Sequence, residues 1–137
     1  MTQKPKCYIS GPMSGLRPDE YRPRFAAAAS LLRERGYDVW NPADSWTARL
    51  LSLVSYRLAL SYDLWQLSRC THIYKMPGWR ASRGANIESC WAYHFGAWTL
   101  PKALAERLND RIKAVDTQYN IHIDYDKKPC TAISPSK

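Results

Sequence analysis

Long apolar runs and export features are lacking from this sequence of 137 residues. No apolar run approaches the roughly 18 residues that a membrane-spanning helix needs. The N-terminal stretch MTQKPKCYIS also lacks the apolar centre of a signal peptide. These absences predict a cytoplasmic protein without membrane association.

Closely spaced cysteine pairs are also missing. The four cysteines have no CxxC spacing, which zinc and redox motifs usually show, and a disulfide framework needs an oxidising compartment. A zinc site is a weaker alternative, in which Cys70 and His72 would join Cys90 and His94 from one helix face. We favour reduced thiols that pack in the core, with no metal and no cofactor.

Acidic residues are few, with 12 Asp and Glu against 20 Lys and Arg, which gives a net charge of +8. The positive charges form no dense stripe and accompany no nucleic-acid-binding motif, so specific nucleic-acid binding is not expected. A moderate positive field suits a small phosphorylated ligand, and it equally suits a surface that only maintains solubility.

Short apolar segments alternate with helical patterns along the chain. Strands are predicted at CYIS (7–10), YDVW (37–40), HIYKM (72–76) and, from its alternation, YNIHIDY (119–125). Helices are predicted at 19–35, 45–69 (one helix or two), 85–95 and 101–116. This order indicates an α/β fold, a Rossmann-like three-layer sandwich with a mainly parallel sheet. We expect one domain over residues 1–137, with 126–137 as a loose tail.

Two glycine-bearing loops follow predicted strands, SGPMSG (10–15) and GWRASRGA (78–85). Ligands of parallel α/β folds bind outside the carboxyl ends of the strands, so both loops should lie on one rim. Their hydroxyls, backbone amides and one cation suit a phosphate. The candidate binding residues are Ser10, Gly11, Ser14, Gly15, Gly78, Trp79, Ser82, Arg83 and Gly84. Trp79 is predicted to stack on a base, although an ordinary core or surface aromatic explains it equally well.

Glu88 follows the second loop just inside a predicted helix. In a first helical turn the free amides and the helix dipole favour negative charge, so we expect an ionised side chain that can act as a nucleophile. Acidic residues are also common there merely because they stabilise helices. Tyr8 is predicted to aim its hydroxyl at this carboxylate, and Asp63 to act as a general acid or to orient a substrate hydroxyl. A core tyrosine and a solvated aspartate are the structural alternatives.

Four segments in a fixed order carry a resemblance over about residues 6–98. They are YISGPMSG, YRPRFAAAASLLRERGYDVWNPA, YDLWQLSRC and MPGWRASRGANIESCWA. The chain resembles the nucleoside 2-deoxyribosyltransferase-like superfamily, in particular a small group frequent in phages and bacteria. It is similar also to the deoxynucleoside 5′-monophosphate N-glycosidases.

This resemblance implies an enzyme that cleaves or exchanges the N-glycosidic bond of a deoxynucleoside 5′-monophosphate or a deoxynucleoside. Glu88 matches the glutamate that forms a covalent deoxyribosyl ester, and Tyr8 matches the tyrosine that holds it. Asp63 matches an aspartate that contacts the sugar or the leaving base. Ser82 matches a phosphate-contacting serine of the glycosidases, where the transferases carry an aspartate. Because an aspartate would repel a phosphate, Ser82 and Arg83 favour a nucleotide.

The resemblance comes with one departure from the family pattern and one implication for assembly. The first loop lacks the arginine that the monophosphate glycosidases carry there, although Arg17 follows shortly. Family members also complete their pocket with residues from a neighbouring subunit, which implies a homodimer or a higher homo-oligomer. The alternative function is a non-catalytic nucleotide-binding or sensing module that keeps the same pocket.

Overall fold

A computed structural model of the chain describes residues 4–13 and 15–125. Ser14, which was predicted to contact a phosphate, lies outside the described residues. The tail predicted at 126–137 lies outside them as well.

Four parallel strands form a single sheet in the order β2-β1-β3-β4. They are β1 (Lys6–Ser10), β2 (Asp38–Trp40), β3 (His72–Lys75) and β4 (Trp98–Thr99). The chain leaves β1 toward β2 on one side and later returns to β3 on the other, so the strand order reverses between β1 and β3. Such a switch point is where parallel α/β folds form their ligand crevices.

Five helices connect and flank these strands. They are α1 (Pro18–Glu34), α2 (Trp46–Val54), α3 (Tyr56–Ser68), α4 (Arg83–Phe95) and α5 (Lys102–Gln118). The long helical region divides into α2 and α3 because Ser55 is extended, with φ −161° and ψ 132°, and its side chain accepts the Arg57 N–H. This is the usual geometry of a helix N-cap.

The two faces of the sheet are covered by different helices. Alternate residues of β1 point to opposite faces: Cys7 and Ile9 pack with buried side chains of α1 and α5. Tyr8 packs instead with Leu67 of α3 and Ala92 of α4. The predicted three-layer α/β sandwich with a parallel sheet is therefore confirmed.

Residues 119–125 do not form the predicted strand. Asn120 has a positive φ of 56° and the Ile121 N–H donates to the Asp116 carbonyl at 2.8 Å, so the chain turns back at the end of α5. Its alternation has another cause, because Ile121 is buried and Ile123 occupies the space that a Cβ on Gly78 would fill. The segment packs across the loop that follows β3.

Strand β4 was not predicted. Trp98 and Thr99 pair with His72 and Ile73 of β3, and two residues are too few for a periodic pattern. Among the described residues, no helix combines the length and apolar character that crossing a bilayer requires.

Candidate active site

Helix α4 begins at a well-formed cap directly after the second glycine-bearing loop. Ser82 is extended, with φ −98° and ψ 124°, and its Oγ accepts the Ala85 N–H at 3.2 Å. The helix ends at Gly96, whose φ of 74° suits glycine. Its buried residues, Ala85, Glu88 and Ala92, are three and four positions apart and therefore share the face that packs on the sheet.

The Glu88 carboxylate is buried, and two side chains of β1 hold it in place by hydrogen bonds. The Tyr8 hydroxyl donates to Oε2 at 2.6 Å, and the Ser10 hydroxyl donates to Oε1 at 2.7 Å. Because Tyr8 and Ser10 are two residues apart on a strand, they point to the same face and meet the two oxygens separately. Such short bonds to a charged group fix both the position and the rotation of the carboxylate.

Burial raises the pKa of Glu88 to about 7, while the hydrogen bonds from Tyr8 and Ser10 oppose this rise. The prediction of a first-turn glutamate is wrong, because Glu88 is the sixth residue of α4. In the second turn the effect of the helix dipole has largely decayed. Burial therefore moves the titration of this carboxyl group toward neutral pH, against the expectation of an ordinary ionised side chain.

Asp63 of α3 lines the same cavity as Glu88. Burial raises the pKa of Asp63 to about 8, and the negative charge of Glu88 raises it further. Its Oδ1 atom is buried without a hydrogen-bond partner among the described residues. The two carboxyl groups thus favour a state near neutral pH in which Glu88 is the more ionised and Asp63 keeps its proton.

These side chains surround a cavity of about 200 Å³. Gly11, from the loop after β1, forms part of the cavity wall. Ser82 and Gly84, at the start of α4, form another part of it. A Cβ on Gly11 would collide with the Met76 side chain, so glycine lets the two rim loops approach closely. The cavity lies at the switch point that the strand order creates.

Most of the predicted site residues come together in this cavity, and some do not. Asp63, Glu88, Gly11, Ser82 and Gly84 line it, while Tyr8 and Ser10 support Glu88. The predicted phosphate ligands Gly15 and Arg83 do not line it. Gly15 adopts a positive φ of 84° with open space around it.

Trp79 does not line the Glu88 cavity, so the prediction that it stacks on a base there is not supported. Gly78 and Trp79 line a second cavity with a different set of residues. The Trp79 ring is covered by cations, with Lys75 Nζ 4.7 Å and the Arg80 guanidinium carbon 5.5 Å from its centroid.

Residues of α2 and α3 line the Glu88 cavity although the sequence did not single them out. They are Arg49, Ser52 and Tyr56. The Tyr56 hydroxyl would be 3.3 Å from a Cβ on Gly84. No spacing signal distinguishes these residues, because the apolar residues around them, Leu53 above all at 82% exposed, do not form a buried face.

The cysteines and histidines of the alternative zinc site do not assemble. Within the described residues, no group of three or more His, Cys, Asp or Glu side chains is placed to hold a metal ion. The Cys70 thiol donates to the Gln66 carbonyl at 3.4 Å, and Cys90 is exposed.

The fold and the site together define a parallel α/β domain with a cavity at the carboxyl edge of its sheet, built around two carboxyl groups. The chain belongs to the family of the domain of unknown function DUF4406, whose model matches residues 5–98. This match covers all four strands up to Trp98 and ends before α5. No curated protein and no solved structure matches the chain.

Proposed function

We propose that the Glu88 pocket breaks or exchanges the N-glycosidic bond of a deoxynucleoside 5′-monophosphate or a deoxynucleoside, through a covalent glutamyl-deoxyribosyl intermediate. One observation carries this proposal: Tyr8 and Ser10 hold a buried carboxylate at the wall of a cavity that also contains Asp63. The resemblance to the nucleoside 2-deoxyribosyltransferase-like superfamily supports the same chemistry.

In the first step, a carboxylate oxygen of Glu88 attacks C1′ and the bond from C1′ to the base nitrogen breaks. Each oxygen accepts one hydrogen bond and retains a lone pair for this attack. The bonding electrons leave with the base, and Asp63 donates its proton to the departing nitrogen. Fixed geometry at C1′ and covalent catalysis lower the barrier.

In the second step, the ester between Glu88 and C1′ is resolved. A water molecule attacks C1′, the C1′–O bond to Glu88 breaks, and the carboxylate leaves with the bonding electrons. The water proton returns to Asp63, which is then ready for the next cycle. An incoming base in place of water yields exchange instead of hydrolysis.

The start of α4 favours the hypothesis that the substrate carries a phosphate. Ser82 and Gly84 line the cavity at the start of α4, where Ser82 caps the Ala85 N–H and the amides before it have no acceptor within the helix, a favourable environment for an anion. Arg49 is the one cation among the described residues that line this cavity. We infer that Arg49 compensates for the arginine that the first loop lacks.

The test is base release from a panel of deoxynucleotides and deoxynucleosides, followed by chromatography. Wild-type protein should release base, and Glu88→Gln and Glu88→Ala should lose at least about 10³-fold in rate, because both remove the oxygen that forms the ester. Glu106→Gln, an exposed glutamate on α5, is the matched control and should keep full activity. An active Glu88→Ala protein with normal circular dichroism would contradict the proposal.

A non-catalytic nucleotide-binding module is the second candidate, and one observation favours it. Burial raises the pKa of Glu88 to about 7, so a substantial fraction of the carboxyl group is protonated at neutral pH and cannot attack. Calorimetry with the same panel separates the two functions. Saturable nucleotide binding without base release would favour the sensing module.

We also infer that the chain assembles as a homodimer or a higher oligomer, as the resemblance implies. The apolar side chains of α2 support this, since Trp46 is 68%, Leu53 82% and Val54 76% exposed. Sedimentation should give a mass that is a multiple of 15.8 kDa, and a monomer at all concentrations would contradict it. The cytoplasmic location stays a prediction.

A further inference from the structure

A second cavity of about 270 Å³ lies beside the end of β3. Its walls are the loop after β3, the side of α5 that carries Asn109 and Lys113, and Tyr125. It shares no lining residue with the Glu88 cavity. The proposed glycosidase chemistry therefore makes no use of it.

Positive side chains converge on this cavity. Lys75, Arg80 and Lys113 all line it, and no acidic residue is among the described residues that do. Lys75 is half-buried, and its pKa is lowered by burial and by the neighbouring charge of Arg80. The protein thus holds like charges together in a partly desolvated space, which is unfavourable unless an anion is present.

The aromatic side chains nearby do not neutralise this charge. Lys75 and Arg80 lie over the Trp79 ring, and Lys113 lies 5.2 Å from the centroid of Tyr125. A ring face attracts a cation through its quadrupole but carries no net charge. These contacts therefore hold the three cations in place without compensating them.

Asp116, a buried carboxylate that contacts Tyr125 of the cavity wall, is already engaged. Asp116 forms an ion pair with Arg24 at 2.6 Å, and its other oxygen accepts a hydrogen bond from the Tyr125 hydroxyl. Asn109 accepts the Tyr74 hydroxyl through its Oδ1 atom at 2.6 Å. Its amide NH₂ group is then the part that can donate to a ligand.

We propose that this cavity is a second anion site that binds the phosphate or diphosphate group of a small molecule, with Lys75, Arg80 and Lys113 as its charged ligands and Asn109 as a further donor. Three cations around one cavity match the charge of such a group.

The experiment is a calorimetric titration of the full chain with inorganic pyrophosphate in the absence of divalent metals, with the Trp79 indole N–H signal followed by NMR. Wild-type protein should bind saturably and shift this signal. Lys75→Gln and Lys113→Gln should each weaken binding about tenfold, since each removes a charged hydrogen bond. Arg80 is exposed, so Arg80→Gln supplies a variant with little risk to folding and should also weaken binding.

Two controls separate this site from general charge and from the Glu88 pocket. Lys102 is an exposed cation on the same helix as Lys113 and does not line the cavity, so Lys102→Gln should bind pyrophosphate within about twofold of wild type. Glu88→Gln should bind it unchanged. The test of the anion site is therefore independent of the base-release assay that tests the Glu88 pocket.

A second titration with ADP distinguishes the source of the phosphate. Affinity equal to that of pyrophosphate assigns the site to the diphosphate alone, and tighter binding that Lys75→Gln abolishes assigns it to a phosphorylated small molecule. The proposal is overturned if pyrophosphate does not bind saturably at millimolar concentration, if folded Lys75→Gln and Arg80→Gln variants keep wild-type affinity, or if Lys102→Gln weakens binding as much as Lys113→Gln.

Discussion

At the scale of single residues, the chemistry of the site depends on opposing influences on Glu88. Burial favours the protonated acid, whereas the hydroxyls of Tyr8 and Ser10 donate to the ionised form and favour the carboxylate. The balance places its pKa near neutrality. Burial, together with the negative charge of Glu88, raises the pKa of Asp63 farther from its ordinary value, and no comparable donor opposes this rise among the described residues.

The proposed mechanism predicts a bell-shaped dependence of kcat/KM on pH. Glu88 must be ionised, so activity should rise as pH increases through about 7. Asp63 must carry a proton, so activity should fall as pH increases through about 8. Because the two groups interact, the apparent values belong to the pair. Asp63→Asn should remove the alkaline limb, and a profile unchanged in this variant would contradict the assigned role.

Replacing Tyr8 by Phe tests how the carboxylate is held. The hydrogen bond from Tyr8 lowers the pKa of Glu88, so Tyr8→Phe should raise that pKa and move the acidic limb to higher pH, with a loss of kcat of about tenfold or more. A ¹³C NMR titration of the Glu88 carboxyl group measures the pKa directly, whether or not the protein turns over substrate.

Tyr74→Phe is the matched control for this variant. Tyr74 is a buried strand tyrosine whose hydroxyl also donates at 2.6 Å, to Asn109 and away from the Glu88 cavity. Its loss should leave the Glu88 titration unchanged. Equal shifts in both variants would show that the effect is general loosening of the core.

Prediction from the sequence succeeded and failed at identifiable residues of the site. The resemblance located Glu88, Tyr8 and Asp63, and the structure brings Glu88 and Asp63 to one cavity with Tyr8 behind them. Ser10 was assigned to the substrate, whereas its hydroxyl bonds Glu88. The protonation of Glu88 was misjudged because the sequence pattern placed this residue in the first turn of its helix and did not reveal its burial.

At the scale of elements, the N-cap of α4 is a structural feature of the cavity at the carboxyl edge of the sheet. Ser82 accepts the Ala85 N–H and also lines the cavity, so one residue both caps the helix and faces the cavity. This double role allows stability and specificity to be separated by choosing the substitution.

Ser82→Ala should lower the free energy of unfolding by about 1 kcal/mol, because the cap is lost. Ser82→Asp should retain the stability, since aspartate caps helices as well as serine does. It should nevertheless lower kcat/KM for deoxynucleoside monophosphates at least about tenfold relative to deoxynucleosides, because the new carboxylate repels a phosphate. Urea unfolding and base-release assays measure the two effects.

Ser55→Ala provides the comparison, since Ser55 caps α3 through the Arg57 N–H at 3.1 Å and does not line the cavity. It should cost similar stability and leave the ratio between nucleotide and nucleoside unchanged. A Ser82→Asp protein with the wild-type ratio would indicate that the phosphate is bound elsewhere.

The elements also show where periodicity misleads. On α4, Ile87, Trp91 and Phe95 repeat every four residues, yet Trp91 is 37% and Phe95 59% exposed. The face that packs on the sheet carries Glu88 between two alanines. Burial of a carboxylate on this face reverses the usual apolar pattern, so a hydrophobic stripe alone could not identify the inner face.

At the scale of the whole molecule, the match to the DUF4406 family ends at residue 98 but the core does not. Leu108 and Ile112 of α5 are fully buried in the same cluster as Ile9, Phe25 and Leu32. We therefore expect residues after the family match to fold as part of one cooperative unit with the sheet.

A buried ion pair joins this last helix to the rest. Arg24 of α1 is fully buried, bonds Asp116 of α5 at 2.6 Å, and donates through Nη2 to the Pro77 carbonyl at 2.8 Å. One guanidinium thus connects α1, α5 and the loop after β3. Sequence patterns predicted the helix at 101–116 but could not predict this pairing across 92 positions.

Asp116→Asn should lower the free energy of unfolding by about 3 kcal/mol or more, because it leaves the Arg24 charge buried and uncompensated. Asp110→Asn, an exposed position on the same helix, should change it by less than about 0.5 kcal/mol. Urea unfolding, followed by tryptophan fluorescence and by far-ultraviolet circular dichroism, measures both the stability and the cooperativity.

The double variant Arg24→Met, Asp116→Leu decides what the ion pair contributes. Replacing a buried pair by apolar side chains of similar volume is often neutral or stabilising, so the double variant should recover most of the stability that Asp116→Asn loses. If the optical transitions stay coincident in the wild type and separate in Asp116→Asn, the pair couples α5 to the sheet. Early melting of α5 in the wild type would instead mean that the domain of residues 5–98 is stable without it.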